Sequence, residues 1–165
     1  MTTEEIIGLM YTPIYDKKML KVMEELEMKI PELDEHYESD LHVYAGDFNE
    51  KGIEFRFEEV NGKSLNGEPV LIKASLNGSR NKILPFNLLE NDDYKTCCDK
   101  IGKIADYYDD FINYIRFWIY KDDNKGTFLV TLTFKSKDLK ELKSVLFIKF
   151  NSDLDLDEDM IPNEE

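Results

Sequence analysis

The stretch IRFWIYKDDNKGTFLVTLTF, residues 115–134, decides the fold of this 165-residue chain. Apolar, aromatic and β-branched side chains dominate residues 115–120 and 127–134, which is typical of β-strands. Residues 121–126, between them, are rich in the types that form turns. The pattern predicts a β-hairpin whose two strands pair antiparallel.

Alternation of apolar and polar residues predicts more strands on both sides of this hairpin. Strands are expected at 53–57, 70–76 and 144–150, and 41–45 is a candidate for one more. Short loops join several of these segments, which favours antiparallel pairing. We therefore expect an antiparallel sheet of about five to six strands.

Helical patterns occur in three places. Thr2-Thr3-Glu4-Glu5 is a capping box, so a short helix is expected to begin there and to end before Pro13. Apolar residues recur at helical spacing from Asp16 to Pro31 and from Asp93 to Tyr108. The predicted fold class is α+β, with helices packed on the antiparallel sheet.

Length and composition predict one domain with a tail. A single α+β domain is expected over 1–150, mainly helical over 1–40, with a sheet and an intervening helix over 41–150. The last fifteen residues, 151–165, hold seven acids and no base, and we expect an acidic, disordered tail. No apolar run approaches the ~20 residues of a membrane span, and the acidic N-terminus does not resemble a secretory signal. A cytoplasmic protein is therefore expected.

The chain is strongly acidic. It has 21 Lys plus Arg against 35 Asp plus Glu, a net charge of −14. Residues 1–60 contribute −10 and the tail −7, whereas residues 121–150 contribute +3. Direct binding of nucleic acid is disfavoured because it requires a basic face. An acidic domain suits a basic protein partner, or the charge serves solubility alone.

Motifs for catalysis are incomplete. Asn61-Gly62-Lys63-Ser64 resembles the end of a phosphate-binding loop, but Phe57 occupies the position of the first glycine that the motif requires. No nucleophile elbow or dinucleotide-binding turn occurs. We therefore predict no enzymatic activity and no cofactor.

Metal-binding patterns are incomplete as well. His36 and His42 lack further ligands at a suitable spacing, and the adjacent Cys97 and Cys98 are expected to be reduced, buried thiols. Three aspartates of the tail alternate as in a calcium loop, but Glu158 stands where that loop requires glycine. No metal site is predicted, and whether the tail binds a cation stays open.

Four motifs follow one another between residues 52 and 150. Gly52–Phe57 reads as a first strand, LPFNL at 84–88 as a loop, 100–103 as the end of a helix, and Trp118 lies in a later strand. This layout resembles bacterial toxin-immunity proteins, the small cytosolic inhibitors of pyocin-like and contact-dependent growth-inhibition toxins. Asn87 replaces the glycine that this family has in its loop, and Lys103 stands where a proline often follows the helix.

The resemblance implies an inhibitor without catalysis, which binds a cognate toxin domain 1:1 and makes it harmless. The acidic charge agrees, because a toxin that is a nuclease needs a basic cleft for its polyanionic substrate. Two alternatives stay open: a phage-type acidic inhibitor that mimics nucleic acid against a host nuclease, and a small enzyme of another family. The oligomeric state is left open.

A surface for this partner is expected where carboxylates and tyrosines are densest in the folded part. Such a surface combines an aromatic contact area with complementary charge. The alternative is that these aspartates only cap turns. The predicted partner-binding residues are Asp106, Asp109, Asp110, Asp122, Asp123, Tyr107, Tyr108 and Tyr120.

Overall fold

A computed structural model describes residues 1–32, 43–45, 49–59, 68–82, 84–150 and 160–163. Within these ranges it contains three α-helices and eight strands. The helices are α1 (Thr3–Leu9), α2 (Lys17–Glu25) and α3 (Tyr94–Ile101). The strands are β1 (Val43–Ala45), β2 (Ile53–Glu58), β3 (Val70–Asn77), β4 (Tyr107–Asp109), β5 (Tyr114–Asp122), β6 (Gly126–Phe134), β7 (Leu142–Lys149) and β8 (Ile161–Pro162).

All the strands belong to one antiparallel sheet, in the order β1-β2-β3-β7-β6-β5-β4-β8. Strands β1 to β3 form one meander and β4 to β7 a second, and the two meanders join where β3 pairs with β7. The predicted α+β class and antiparallel sheet are confirmed. The sheet is wider than the five to six strands expected, because β4 and β8 were not foreseen.

One row of paired residues crosses five strands and forms the centre of the core. Phe55 pairs with Ala74, Ala74 with Phe147, Phe147 with Val130, and Val130 with Trp118. Paired residues project from the same face of a sheet, and all five are buried. The buried side chains of the three helices belong to the same core cluster: Ile6, Ile7, Leu9, Met19, Met23, Cys97 and Cys98.

Capping residues fix where the helices begin. The predicted capping box is present: Thr2 Oγ1 accepts from Glu5 N, and the Glu5 carboxylate accepts from Thr2 N. At α2 and α3 a single aspartate caps the helix: Asp16 accepts from Lys18 N and Asp93 from Thr96 N. Each carboxylate or hydroxyl satisfies a backbone donor that has no partner within the helix.

Two helices are shorter than predicted. Helix α2 ends at Glu25, and Glu27 then takes a left-handed φ of 55°. Helix α3 ends at Gly102, whose φ of 99° suits a residue without Cβ. The indole Nε1 of Trp118 donates to Lys103 O at 2.9 Å, which ties the chain after α3 to the sheet. The helix expected over 93–108 is therefore wrong beyond Ile101.

The predicted disordered tail is wrong for residues 160–163. Strand β8 pairs with the outer edge of β4, and Asn163 N donates to Asp106 O at 3.0 Å. The Asn163 side-chain amide donates to Tyr94 Oη and to Ala105 O, both at 3.1 Å. The rest of the tail, both histidines and the segment 61–64 lie outside the described residues.

Asn163→Ala should lower the free energy of unfolding by about 1 kcal/mol, because it removes two partly buried hydrogen bonds. Asn124→Ala is the matched control, since Asn124 lies on the exposed β5–β6 turn, and it should change stability by less than about 0.5 kcal/mol. Urea unfolding of both variants measures this. Equal stability of the two would show that the Asn163 contacts do not hold the C-terminal strand.

Candidate functional site

The structure divides the predicted partner-binding residues between two places. Residues 106–110 lie on or beside β4, whereas Asp122 and Asp123 lie at the β5–β6 turn. Asp109 pairs with Ile115 near the start of β5. At about 3.3 Å per residue, β5 separates Ile115 from Asp122 by about 23 Å. The eight residues therefore do not form one continuous patch.

The three tyrosines are separated too. Tyr107 pairs with Phe117 and lies on the sheet face opposite to the helices, whereas Tyr108 pairs with Arg116 on the helix-facing side. Tyr120 is on the helix-facing side at the other end of β5, with its ring centroid 5.4 Å from that of Phe86. Tyr120 packs against the core cluster, so it contributes to the fold.

Three aspartates accept hydrogen bonds from nearby backbone groups. Asp106 accepts from Ile119 N at 2.7 Å and also from the Lys103 ammonium at 3.0 Å. Asp122 accepts from the backbone N–H groups of residues 124 and 125, at 3.0 and 2.8 Å. Asp109 accepts from Phe111 N at 2.9 Å. The contacts of Asp109 and Asp122 correspond to the turn-capping alternative, whereas Asp106 binds a backbone donor of β5. A role of these carboxylates in binding stays a prediction.

Asp110 forms an ion pair with Arg116, at 2.6 Å between Oδ1 and Nη1. The guanidinium lies 5.1 Å from the ring centroid of Tyr108 and 5.7 Å from that of Tyr94. Only 13% of the Arg116 side chain is exposed. Cation–π contacts and a charge-assisted hydrogen bond thus hold this arginine in one position.

A cleft of about 740 Å³ opens beside this arginine. Its walls come from α3, β4, β5 and the C-terminal strand, and they include Tyr94, Tyr108, Asp110, Arg116, Leu139, Ile161, Pro162 and Asn163. Burial raises the pKa of the Tyr94 hydroxyl. This hydroxyl therefore stays protonated at neutral pH and accepts hydrogen bonds from Ala105 N and Asn163.

The loop at 110–113, between β4 and β5, presents two apolar side chains to solvent. Phe111 and Ile112 are each 81% exposed, the largest values among the big apolar residues of the described ranges. Phe111 and Ile112 are not among the predicted partner-binding residues, which are all aspartates and tyrosines. The signal was available: an apolar pair between Asp-Asp and Asn departs from the polar pattern of a β-turn.

Within the described ranges, no group of three His, Cys, Asp or Glu side chains is placed to hold a metal ion. Nor is any described helix long and apolar enough to cross a membrane. The cysteines are free and buried, as predicted. Burial raises the pKa of the Cys97 thiol to about 12, so this thiol is not a nucleophile at neutral pH.

Both thiols should resist alkylation by iodoacetamide at pH 8 in the native protein and react fully in 6 M guanidinium chloride. Mass spectrometry of the alkylated protein measures this. Rapid labelling of the native chain would contradict the buried placement.

The raised pKa of Cys97 has a second consequence. The free energy of unfolding should fall as the pH rises from about 9, where the thiol of the unfolded chain ionises, toward about 12, where the thiol of the folded chain ionises.

The chain matches no protein-family model, no curated protein and no solved structure. The resemblance of residues 52–150 to toxin-immunity proteins therefore stays a prediction. Two features bear on function: the distribution of charge along the chain and the exposed pair Phe111 and Ile112.

Proposed function

We propose that this protein is an immunity protein: a non-catalytic inhibitor that binds a basic toxin domain, a nuclease, 1:1 and blocks its active or substrate-binding surface. The observation that carries the proposal is where the negative charge lies. Residues 1–60 carry a net charge of −10 and residues 151–165 a net charge of −7, whereas residues 61–150, between them, carry +3.

Two acidic segments precede the edge strands in the sequence, with four acids in residues 33–42 and five in residues 151–159. Residues 33–42 precede β1, which is one edge strand, and residues 151–159 precede β8, which is the other. Charge that serves solubility alone does not need such concentration. Concentrated negative charge attracts a basic surface over a long range and raises the rate of association, as an inhibitor of a toxin requires.

The described structure favours a binder of a basic protein over a mimic of nucleic acid. A mimic needs a continuous stripe of unpaired carboxylates, spaced like phosphates. Several carboxylates here are paired with bases instead: Asp92 with Lys100 at 2.7 Å, Asp110 with Arg116 at 2.6 Å, and Glu90 with Lys135. These pairs cancel charge where a mimic would display it.

Two positions in the resembling region have a backbone that suits the proposed family. Asn87 takes the place of the glycine in the family's loop, and it adopts a left-handed φ of 55°. Glycine is favoured in that region, and asparagine is among the residues that tolerate it best. Gly102 ends α3 with a φ of 99°. The departure at Asn87 is therefore compatible with the same loop conformation.

The test uses the C-terminal domain of the protein encoded directly upstream, purified as the toxin. Binding kinetics, measured with one of the two proteins immobilised on a sensor surface, should show an association rate that falls at least tenfold between about 50 and 500 mM salt. The dissociation rate should change less. An association rate that is flat across this range would contradict the electrostatic argument. No binding at any salt concentration would contradict the proposed function.

A pair of charge variants locates the steering. Asp153→Asn, Asp155→Asn and Asp157→Asn together should slow association at low salt several-fold, because they remove three charges from one acidic segment. The control removes three charges from α1 and α2, by Glu4→Gln, Glu24→Gln and Glu25→Gln, and should slow association less. Equal effects would assign the steering to net charge alone.

A further inference from the structure

The most exposed apolar side chains of the described structure lie side by side in one loop. Phe111 and Ile112 are each 81% exposed, whereas the other exposed large apolar residues range from 41% to 55%. Single exposed apolar residues are common on proteins, but two adjacent ones with most of their surface in water mark an interaction site. We name residues 110–113 the β4–β5 tip.

The tip is held in place before any partner binds. Asp109 Oδ1 accepts a hydrogen bond from Phe111 N at 2.9 Å, which fixes the first turn of the loop. Asp110 is held by Arg116, whose guanidinium lies 5.7 and 5.1 Å from the ring centroids of Tyr94 and Tyr108. A preformed loop loses little conformational entropy on binding, and this favours affinity.

Carboxylates flank the exposed pair. Among the described residues no base forms an ion pair with Asp109, and the side chain of Asp110 remains 41% exposed beside its arginine. An anionic lipid surface would repel such a loop. An apolar pocket with Lys or Arg at its border complements both the apolar pair and the acids next to it.

We propose that Phe111 and Ile112 are the apolar anchor of the complex, and that they insert into an apolar pocket of the toxin domain bordered by basic side chains. This inference rests on the proposed function and gives it a binding residue pair. Interfaces concentrate their energy in a few large side chains that become fully desolvated. The anchor would then supply the lifetime of the complex, and the acidic segments its rate of formation.

The experiment measures binding of the upstream-encoded toxin domain to three full-length proteins by biolayer interferometry. The test variant carries Phe111→Ser and Ile112→Ser. The control carries Leu89→Ser and Ile104→Ser, two apolar residues exposed by 41% and 45% elsewhere on the surface. We expect at least a 100-fold loss of affinity for the test variant, mainly in dissociation rate, and less than a threefold loss for the control.

Circular dichroism and thermal unfolding establish that both variants fold like the wild type. A folded test variant that binds within threefold of the wild type would overturn the anchor and leave the proposed function standing. A wild-type protein that binds no toxin domain would overturn both. Because the wild type binds the toxin domain in the first outcome and does not bind it in the second, the two failures are distinguishable.

Two further measurements test whether the exposed pair binds a membrane or a second copy of this chain instead of a toxin pocket. Sedimentation with vesicles of phosphatidylcholine, with and without phosphatidylglycerol, should show no binding of the wild type. Analytical ultracentrifugation should give the same oligomeric state for the wild type and the test variant. Vesicle binding or self-association that the test variant abolishes would overturn the proposal, because the pair would then serve a membrane or a second copy of this chain.

Discussion

The row that crosses the sheet from Phe55 to Trp118 is the constraint on which the rest of the structure depends. It places one buried side chain from each of five strands on the same face, and the small Ala74 leaves room between two phenylalanines. A shift of one residue in any of these strands would turn its apolar set to the opposite face. The register of the sheet and the position of the helices are therefore specified together.

The same strand that contributes Trp118 also positions the candidate site. Arg116 precedes Trp118 by two residues, so it projects from the same face of β5. There it contacts the rings of Tyr94 and Tyr108 and holds Asp110, the first residue of the β4–β5 tip. The exposed pair is thus connected to the core through one partly buried arginine and one ion pair.

The periodicity of apolar residues in the sequence predicted most of the fold but little of the candidate site. Strands β2, β3, β5, β6 and β7 are long enough to show alternation, and the sequence predicted each of them. The short strands β4 and β8 have three and two residues, too few for a period, and β4 was assigned to a helix. Pairing with distant segments creates both strands. The predicted partner-binding residues are divided between the two ends of β5, because closeness in sequence does not show how far a strand separates them.

We propose that this acidic protein neutralises a toxin domain by binding to it 1:1, without turnover. The most direct measurement titrates the nuclease activity of the upstream-encoded toxin domain with the purified protein, on DNA and on RNA. The proposal predicts a linear loss of activity that reaches zero at one equivalent and does not deepen with incubation time. Full activity at a tenfold excess, or complete inactivation by a small fraction of an equivalent, would contradict it.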